Sequence, residues 1–147
     1  MASGCRHDFM SWPGTTSGDG SSAQELMKVR LSRSFHFEAS HRLDHLGPEH
    51  PCYNLHGHSY RVEVEVSGEV DLTTGFLIDY SEIKRIVQPL IARLDHTHLN
   101  DVEGLPLTST EYIARWLWER IQPELPIISR ITIHETDSSK CVFEGLL

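Results

Sequence analysis

Two segments of the chain alternate apolar and polar residues with period two. Residues 28–41, KVRLSRSFHFEASH, place Val29, Leu31, Phe35, Phe37 and Ala39 at positions of one parity. In residues 59–70, SYRVEVEVSGEV, three valines alternate with charged residues in the same way. Because successive side chains of a strand point to opposite faces, this pattern predicts two β-strands, each with one buried face.

Two later segments follow the helical period instead. Residues 81–94 carry one apolar stripe made of Ile83, Ile86, Val87, Leu90, Ile91 and Leu94. Pro89 lies inside this segment and is expected to kink or split the helix. A second helix is predicted over residues 109–121, where Thr108 and Glu111 have the spacing of a capping box.

Two shorter strands are predicted near the C-terminus, over residues 129–136 and 140–146. The resulting element order, ββααββ, indicates an α+β fold: a four-stranded antiparallel sheet with two helices on one face. Such a sheet keeps two free edges, and free edges pair with other chains. We therefore expect an oligomer.

Composition and charge exclude several classes of protein. Residues 1–26 are rich in Gly, Ser and Thr without a hydrophobic period, which predicts a disordered extension before a domain of residues 27–147. The three cysteines lie far apart, so this is not a disulfide scaffold. The first residues have no signal-peptide core, and a cytoplasmic location is expected. A formal net charge of −8 disfavours nucleic acid as a partner, and no apolar stretch approaches the roughly 20 residues of a membrane span.

Histidine is frequent, with ten residues in 147, and three histidines form a pattern. His56 and His58 share one face if the second strand begins there, and His41 ends the first strand with the parity of its buried residues. Three imidazoles with an open fourth position are typical of a catalytic zinc site. Two alternatives stay open: Cys52 as a fourth ligand of a closed structural site, or ordinary strand histidines.

Two acidic positions could add chemistry to this site. Asp95 and His96 follow the first helix and together offer a base with an orienting carboxylate, although the pair is also common in solvated loops. Glu135 shares the parity of the apolar residues in its strand. A carboxylate on that face must be paired or must bind a ligand.

Five motifs in order and spacing resemble the 6-pyruvoyl-tetrahydropterin synthase family. They are FHFEASHRL, C-x3-HGH-x-Y, LDHTHLND, TSTEYIARWLW and HETDSSKCVFEG, and the resemblance covers about residues 28–147. It implies the tunnelling fold (T-fold), assembly of two trimers into a homohexamer, and the small-molecule substrate 7,8-dihydroneopterin triphosphate. The three-residue spacer between Cys52 and HGH looks like the branch that forms 6-carboxytetrahydropterin, acetaldehyde and triphosphate in queuosine biosynthesis.

The resemblance also implies a role for each matching residue. His41, His56 and His58 would bind Zn²⁺, Cys52 would be the general base, and Asp95 with His96 would assist proton transfer. Substrate would be bound by Glu135, which anchors the pterin ring, with help from Ser109, Thr110 and Glu111. Cations for the triphosphate are not singled out; the candidates are Arg42, Lys28, Arg30 and Lys84. The pyruvoyl-forming reaction and a non-catalytic zinc- or pterin-binding assembly protein remain alternatives.

Overall fold

The centre of the fold is a long antiparallel pair of strands, β1 (Lys28–His41) and β2 (His56–Glu69). The computed structural model describes residues 26–146, so the predicted extension lies almost wholly outside the described residues. The alternation that predicted the two strands also sets their faces. Phe35, Phe37 and the valines of β2 are buried, while the polar residues between them are more exposed.

Three further strands complete one sheet. β3 is a two-residue strand, Thr97–His98; β4 spans Ile128–Thr136 and β5 spans Ser139–Phe143. The strand order is β3-β1-β2-β4-β5. The four predicted strands are antiparallel to their neighbours, as expected, whereas β3 pairs with β1 in parallel and makes the sheet a mixed one of five strands.

Two helices, α1 (Tyr80–Leu94) and α2 (Thr110–Ile121), pack their apolar stripes against the buried face of the sheet. Helix α1 is not split at Pro89, contrary to one of the two outcomes expected from the sequence. Pro89 is exposed to solvent, where water can bond to the carbonyl group left without a donor. Within residues 26–146, neither helix has the length and apolar character needed to cross a bilayer.

The capping box predicted at the start of α2 is wrong. The residue before the helix is Ser109, not Thr108, and its side chain makes no capping hydrogen bond. The Thr108 side chain is buried, and its hydroxyl donates to the carbonyl oxygen of Arg42 at 3.3 Å. Thr108 therefore fastens the start of α2 to the end of β1, where the candidate site lies.

Candidate metal centre and active site

The pairing of β1 with β2 brings the three predicted histidines together. His41 is directly opposite His56, and Ala39 is opposite His58, so all three imidazoles emerge on the helix-covered face. Their ligand atoms all lie within 4.8 Å of one another. The register of β1 and β2 thus builds a three-nitrogen cluster from His41 and two histidines that lie fifteen and seventeen positions later in the chain.

Hydrogen bonds fix the tautomers of two of these histidines. His41 donates from Nδ1 to the carbonyl oxygen of Thr108 at 2.8 Å, and His56 donates from Nδ1 to that of Asn54 at 2.7 Å. A neutral imidazole has one donor nitrogen, so both Nε2 atoms carry lone pairs. These two Nε2 atoms are nevertheless 3.0 Å apart. Two facing lone pairs at this distance repel unless a cation lies between them.

A zinc ion fits this arrangement. Two imidazole nitrogens on tetrahedral zinc lie about 3.3 Å apart, given Zn–N bonds of about 2.0–2.1 Å. The 3.0 Å separation of the Nε2 atoms is close to that value. Burial lowers the pKa of His41 below its ordinary 6.5, which keeps this ligand neutral and ready to bind a metal.

Glu135 lies against the same cluster. Its Oε1 is 3.6 Å from His41 Nε2 and 3.5 Å from His58 Nε2, and the side chain is 29% exposed. The parity argument from the sequence therefore located a carboxylate at the site, with part of its surface still open to a ligand. The register between β4 and β5 shifts between His134 and Thr136, so this carboxylate lies at an irregularity in the sheet.

Cys52 is held in a short turn, Pro51–Tyr53, beside the end of β1. Its carbonyl oxygen accepts from Leu43 N at 2.8 Å, and its own N–H donates to His50 Nδ1 at 3.1 Å. The thiol does not belong to the compact set of ligand atoms formed by the histidines in residues 26–146.

Asp95 and His96 form the predicted pair but dock at the outer edge of β1. Asp95 Oδ1 accepts from Glu38 N at 2.9 Å, and Asp95 Oδ2 lies 2.9 Å from His96 Nδ1. These bonds lower the pKa of Asp95, so its carboxylate is ionised at neutral pH. His96 has a φ of +55° and donates from its N–H to Glu38 O at 2.6 Å, a bond that holds this uncommon backbone conformation.

The pair is separate from the histidine cluster. His96 lines a surface cavity of about 550 Å³ together with Glu38, Ser40 and Ser59, whose strand parity is opposite to that of the three clustered histidines. The side chain of His96 is 79% exposed, so it is free to reach a molecule held there. Within one chain the structure does not bring the two groups of predicted residues together in residues 26–146.

The substrate-binding residues predicted at α2 lie at its first turn. Thr108 ties this turn to His41 through the carbonyl bond described above, and Thr110 Oγ1 donates to Glu111 Oε2 at 3.4 Å. Hydrogen bonds to the carboxylate of Glu111, of which the one from the Ser109 side chain has the largest effect, lower the pKa of Glu111. The three residues are therefore attached to the histidine cluster by way of Thr108.

Of the proposed cations, the structure favours none at the cluster. Lys28 and Arg30 lie at the opposite end of β1; at about 3.3 Å per residue, Lys28 is roughly 40 Å from His41. Arg42 is adjacent to His41, but its Nε is 2.7 Å from Asp44 Oδ1. That ion pair offsets part of its charge.

Tyr60 is a member of the site that the sequence reasoning missed. It is fully buried, and its ring meets His58 edge-on with the centroids 5.5 Å apart. Its hydroxyl has no hydrogen-bond partner among the described residues. The signal was present in the sequence, because Tyr60 shares the parity of His56 and His58.

Comparison with known proteins agrees with this geometry. Residues 30–146 match the family model described as 6-pyruvoyl tetrahydropterin synthase. The chain belongs to this family. The family resemblance drawn from the five motifs is thus confirmed, and the α+β fold is the T-fold of the 6-pyruvoyl tetrahydropterin synthases.

Relatives within the family have two different names. The 6-pyruvoyl tetrahydrobiopterin synthase of Homo sapiens is 32% identical over 89% of this chain and 99% of its own length. The 6-carboxy-5,6,7,8-tetrahydropterin synthase of Synechocystis sp. is 36% identical over 74% of this chain and 88% of its own. The solved 6-pyruvoyl tetrahydropterin synthase of Caenorhabditis elegans superposes with a TM-score of 0.75 at 26% identity, covering 82% of this chain and 98% of that one.

Proposed function

We propose that the chain is a zinc enzyme that converts 7,8-dihydroneopterin triphosphate to 6-carboxy-5,6,7,8-tetrahydropterin, releasing acetaldehyde and triphosphate, in 7-deazapurine (queuosine) biosynthesis. The observation that carries the proposal is the three-histidine cluster with facing Nε2 atoms, preceded by Cys52 at a spacing of three residues from HGH. Curated relatives named 6-carboxy-5,6,7,8-tetrahydropterin synthase support this branch.

His41, His56 and His58 would hold the zinc ion, and their Nδ1 bonds to main-chain carbonyls orient two of the rings toward it. When bound, zinc polarises the hydroxyl groups of the substrate side chain and makes a neighbouring C–H more acidic. Cys52 takes that proton as general base. The two main-chain bonds of its turn restrict where the thiol can lie.

Asp95 and His96 would assist proton transfer. The ionised carboxylate of Asp95 orients the imidazole of His96 through the Nδ1 contact.

Glu135 would anchor the pterin ring. A carboxylate accepts two N–H bonds from a guanidine-like edge, and Glu135 is only partly exposed beside two metal ligands. A ring held by Glu135 would lie next to His41 and His58. Ser109, Thr110 and Glu111 would support the ring from the first turn of α2.

The pyruvoyl-forming reaction is the second candidate, favoured by the identity to the human enzyme. It uses the same metal ligands and base but only eliminates triphosphate and isomerises the product. Incubating the zinc-loaded full chain with 7,8-dihydroneopterin triphosphate separates the two. We expect acetaldehyde and a product with the mass of 6-carboxytetrahydropterin; triphosphate release without acetaldehyde would support the pyruvoyl reaction instead.

The role of Cys52 is tested with Cys52→Ala and the matched variant Cys5→Ala in the N-terminal segment. We expect Cys52→Ala to lose activity while it keeps its bound zinc, and Cys5→Ala to match the wild type. Loss of zinc from Cys52→Ala would make the thiol a ligand. That outcome would favour a zinc-stabilised assembly protein over an enzyme.

We further propose a homohexamer. Strand β5 ends the sheet on one side, and on the other side β3 covers β1 only at Ala39 and Ser40. Long uncovered edges favour pairing between chains. Native mass spectrometry is expected to show a particle of six 16.8 kDa chains; a monomer at micromolar concentration would contradict the proposal.

A further inference from the structure

The segment after α1 runs along the outer edge of the last residues of β1. Glu38 is bonded through both main-chain groups, its N–H to Asp95 Oδ1 and its carbonyl oxygen to His96 N. The next two residues of each segment pair as parallel strands. Main-chain and side-chain bonds therefore fasten this segment to β1 in one register.

Asn100 continues this pairing with its side chain. Arg42 N–H donates to Asn100 Oδ1 at 3.0 Å, and Asn100 Nδ2 donates to Arg42 O at 2.9 Å. A carboxamide offers one acceptor and two donors in a plane, so it can replace the peptide group of a neighbouring strand. Here it takes the place of a strand residue at the point where β1 ends.

The bonded residue, Arg42, directly follows the metal ligand His41. The carbonyl oxygen of Arg42 also accepts from Thr108 Oγ1, and the carbonyl oxygen of Thr108 accepts from His41 Nδ1. Asn100 and Thr108 thus hold Arg42 from two sides. A shift of the Arg42 peptide would move the His41 ring relative to its acceptor.

We propose that Asn100 is a positioning residue for the metal centre. It fixes the main chain at Arg42, which keeps His41 on the carbonyl of Thr108 with Nε2 directed at the metal. Through the register of its own segment it also fixes Asp95 and His96 on the outer edge of β1. The proposal rests on the metal site described under Proposed function, but not on which pterin product is formed.

If Asn100 only stabilised the fold, its replacement would lower the free energy of unfolding without a specific effect on His41. The test therefore measures zinc affinity by competition with a chelating dye, together with the NMR signal of the His41 Nδ1–H proton, in the full chain. Two variants are compared: Asn100→Ala, which removes both bonds, and Asn100→Asp, which keeps the acceptor and removes the donor. Gln88→Ala, which removes an exposed carboxamide on α1, is the matched control.

We expect Asn100→Ala to bind zinc about tenfold more weakly, as is common when support around a ligand is removed. Asn100→Asp, whose second carboxylate oxygen faces the Arg42 carbonyl oxygen, is expected to show a loss as well, and Gln88→Ala none. The His41 Nδ1–H proton should exchange faster in both Asn100 variants. If Asn100→Ala does not fold, the Asn100→Asp variant decides the question alone.

Zinc affinity and a His41 signal equal to wild type in the Asn100 variants would overturn the proposal. A wild-type chain that does not bind zinc would overturn it as well. A wild-type chain that binds zinc tightly but yields neither acetaldehyde nor triphosphate would refute the proposed function alone, because the Asn100 effect would still be measured.

Discussion

Replacing Tyr60 with phenylalanine should stabilise the metal-free protein. The Tyr60 side chain is fully buried, and its hydroxyl has no partner among the described residues. Burial, and then the charge of Glu135, raise the pKa of Tyr60 well above its ordinary value of 10. The phenol therefore stays protonated, and its unpaired O–H is a cost to the folded state.

The size of the effect follows from what the substitution removes and what it keeps. An unsatisfied buried polar group costs about 1–3 kcal/mol. The ring itself stacks on Phe37 with centroids 4.6 Å apart, and phenylalanine preserves that contact. We expect a gain of about 1–2 kcal/mol in the free energy of unfolding, or about 4–8 °C in Tm for a domain of this size.

The assay is thermal and urea unfolding of the full chain in the presence of a chelator, at equal protein concentrations. Tyr80→Phe is the matched control, because Tyr80 is 46% exposed and its loss of a hydroxyl should leave Tm unchanged. If Tyr60→Phe is no more stable than Tyr80→Phe, then the buried hydroxyl is satisfied in solution. In that case the Tyr60 hydroxyl has a hydrogen-bond partner in solution, and its burial does not destabilise the folded chain.

Three further predictions concern the site and the N-terminal segment. Glu135→Gln removes the charge that would pair with the pterin, so KM should rise about tenfold or more while zinc content is unchanged; an unchanged KM would rule out the anchor. Burial lowers the pKa of His41 below 6.5 in the folded chain. As the pH falls, the unfolded metal-free chain therefore takes up a proton at His41 before the folded chain does. Stability should be complete above pH 6.5 and fall as the pH drops below it, and a flat urea-unfolding profile between pH 7.5 and 5.5 would contradict this. Deleting residues 1–26 should leave activity and oligomeric state as in the full chain, and loss of either would show that this segment is structural.

Much of the architecture was readable from local sequence. The predicted first strand has the observed bounds Lys28–His41, and the other three predicted strands and both helices agree with the structure to within a few residues. The reason is that side-chain parity and the helical period are properties of neighbouring residues. The same parity placed His41, His56 and His58 on one face and Glu135 on an apolar face, which is where the structure has them.

The structure alone determined which distant segments meet. The capping box was a local pattern, but burial of Thr108 against β1 gave that residue another partner. Strand β3 has only two residues, too few for any periodicity, and it forms because Glu38 and its neighbours on β1 offer an uncovered edge. Residue spacing could not show that Asn100 bonds to Arg42, nor that Asp95 and His96 dock at Glu38, three residues before His41. These contacts depend on the register between segments more than fifty residues apart, and that register is set by packing of the whole sheet.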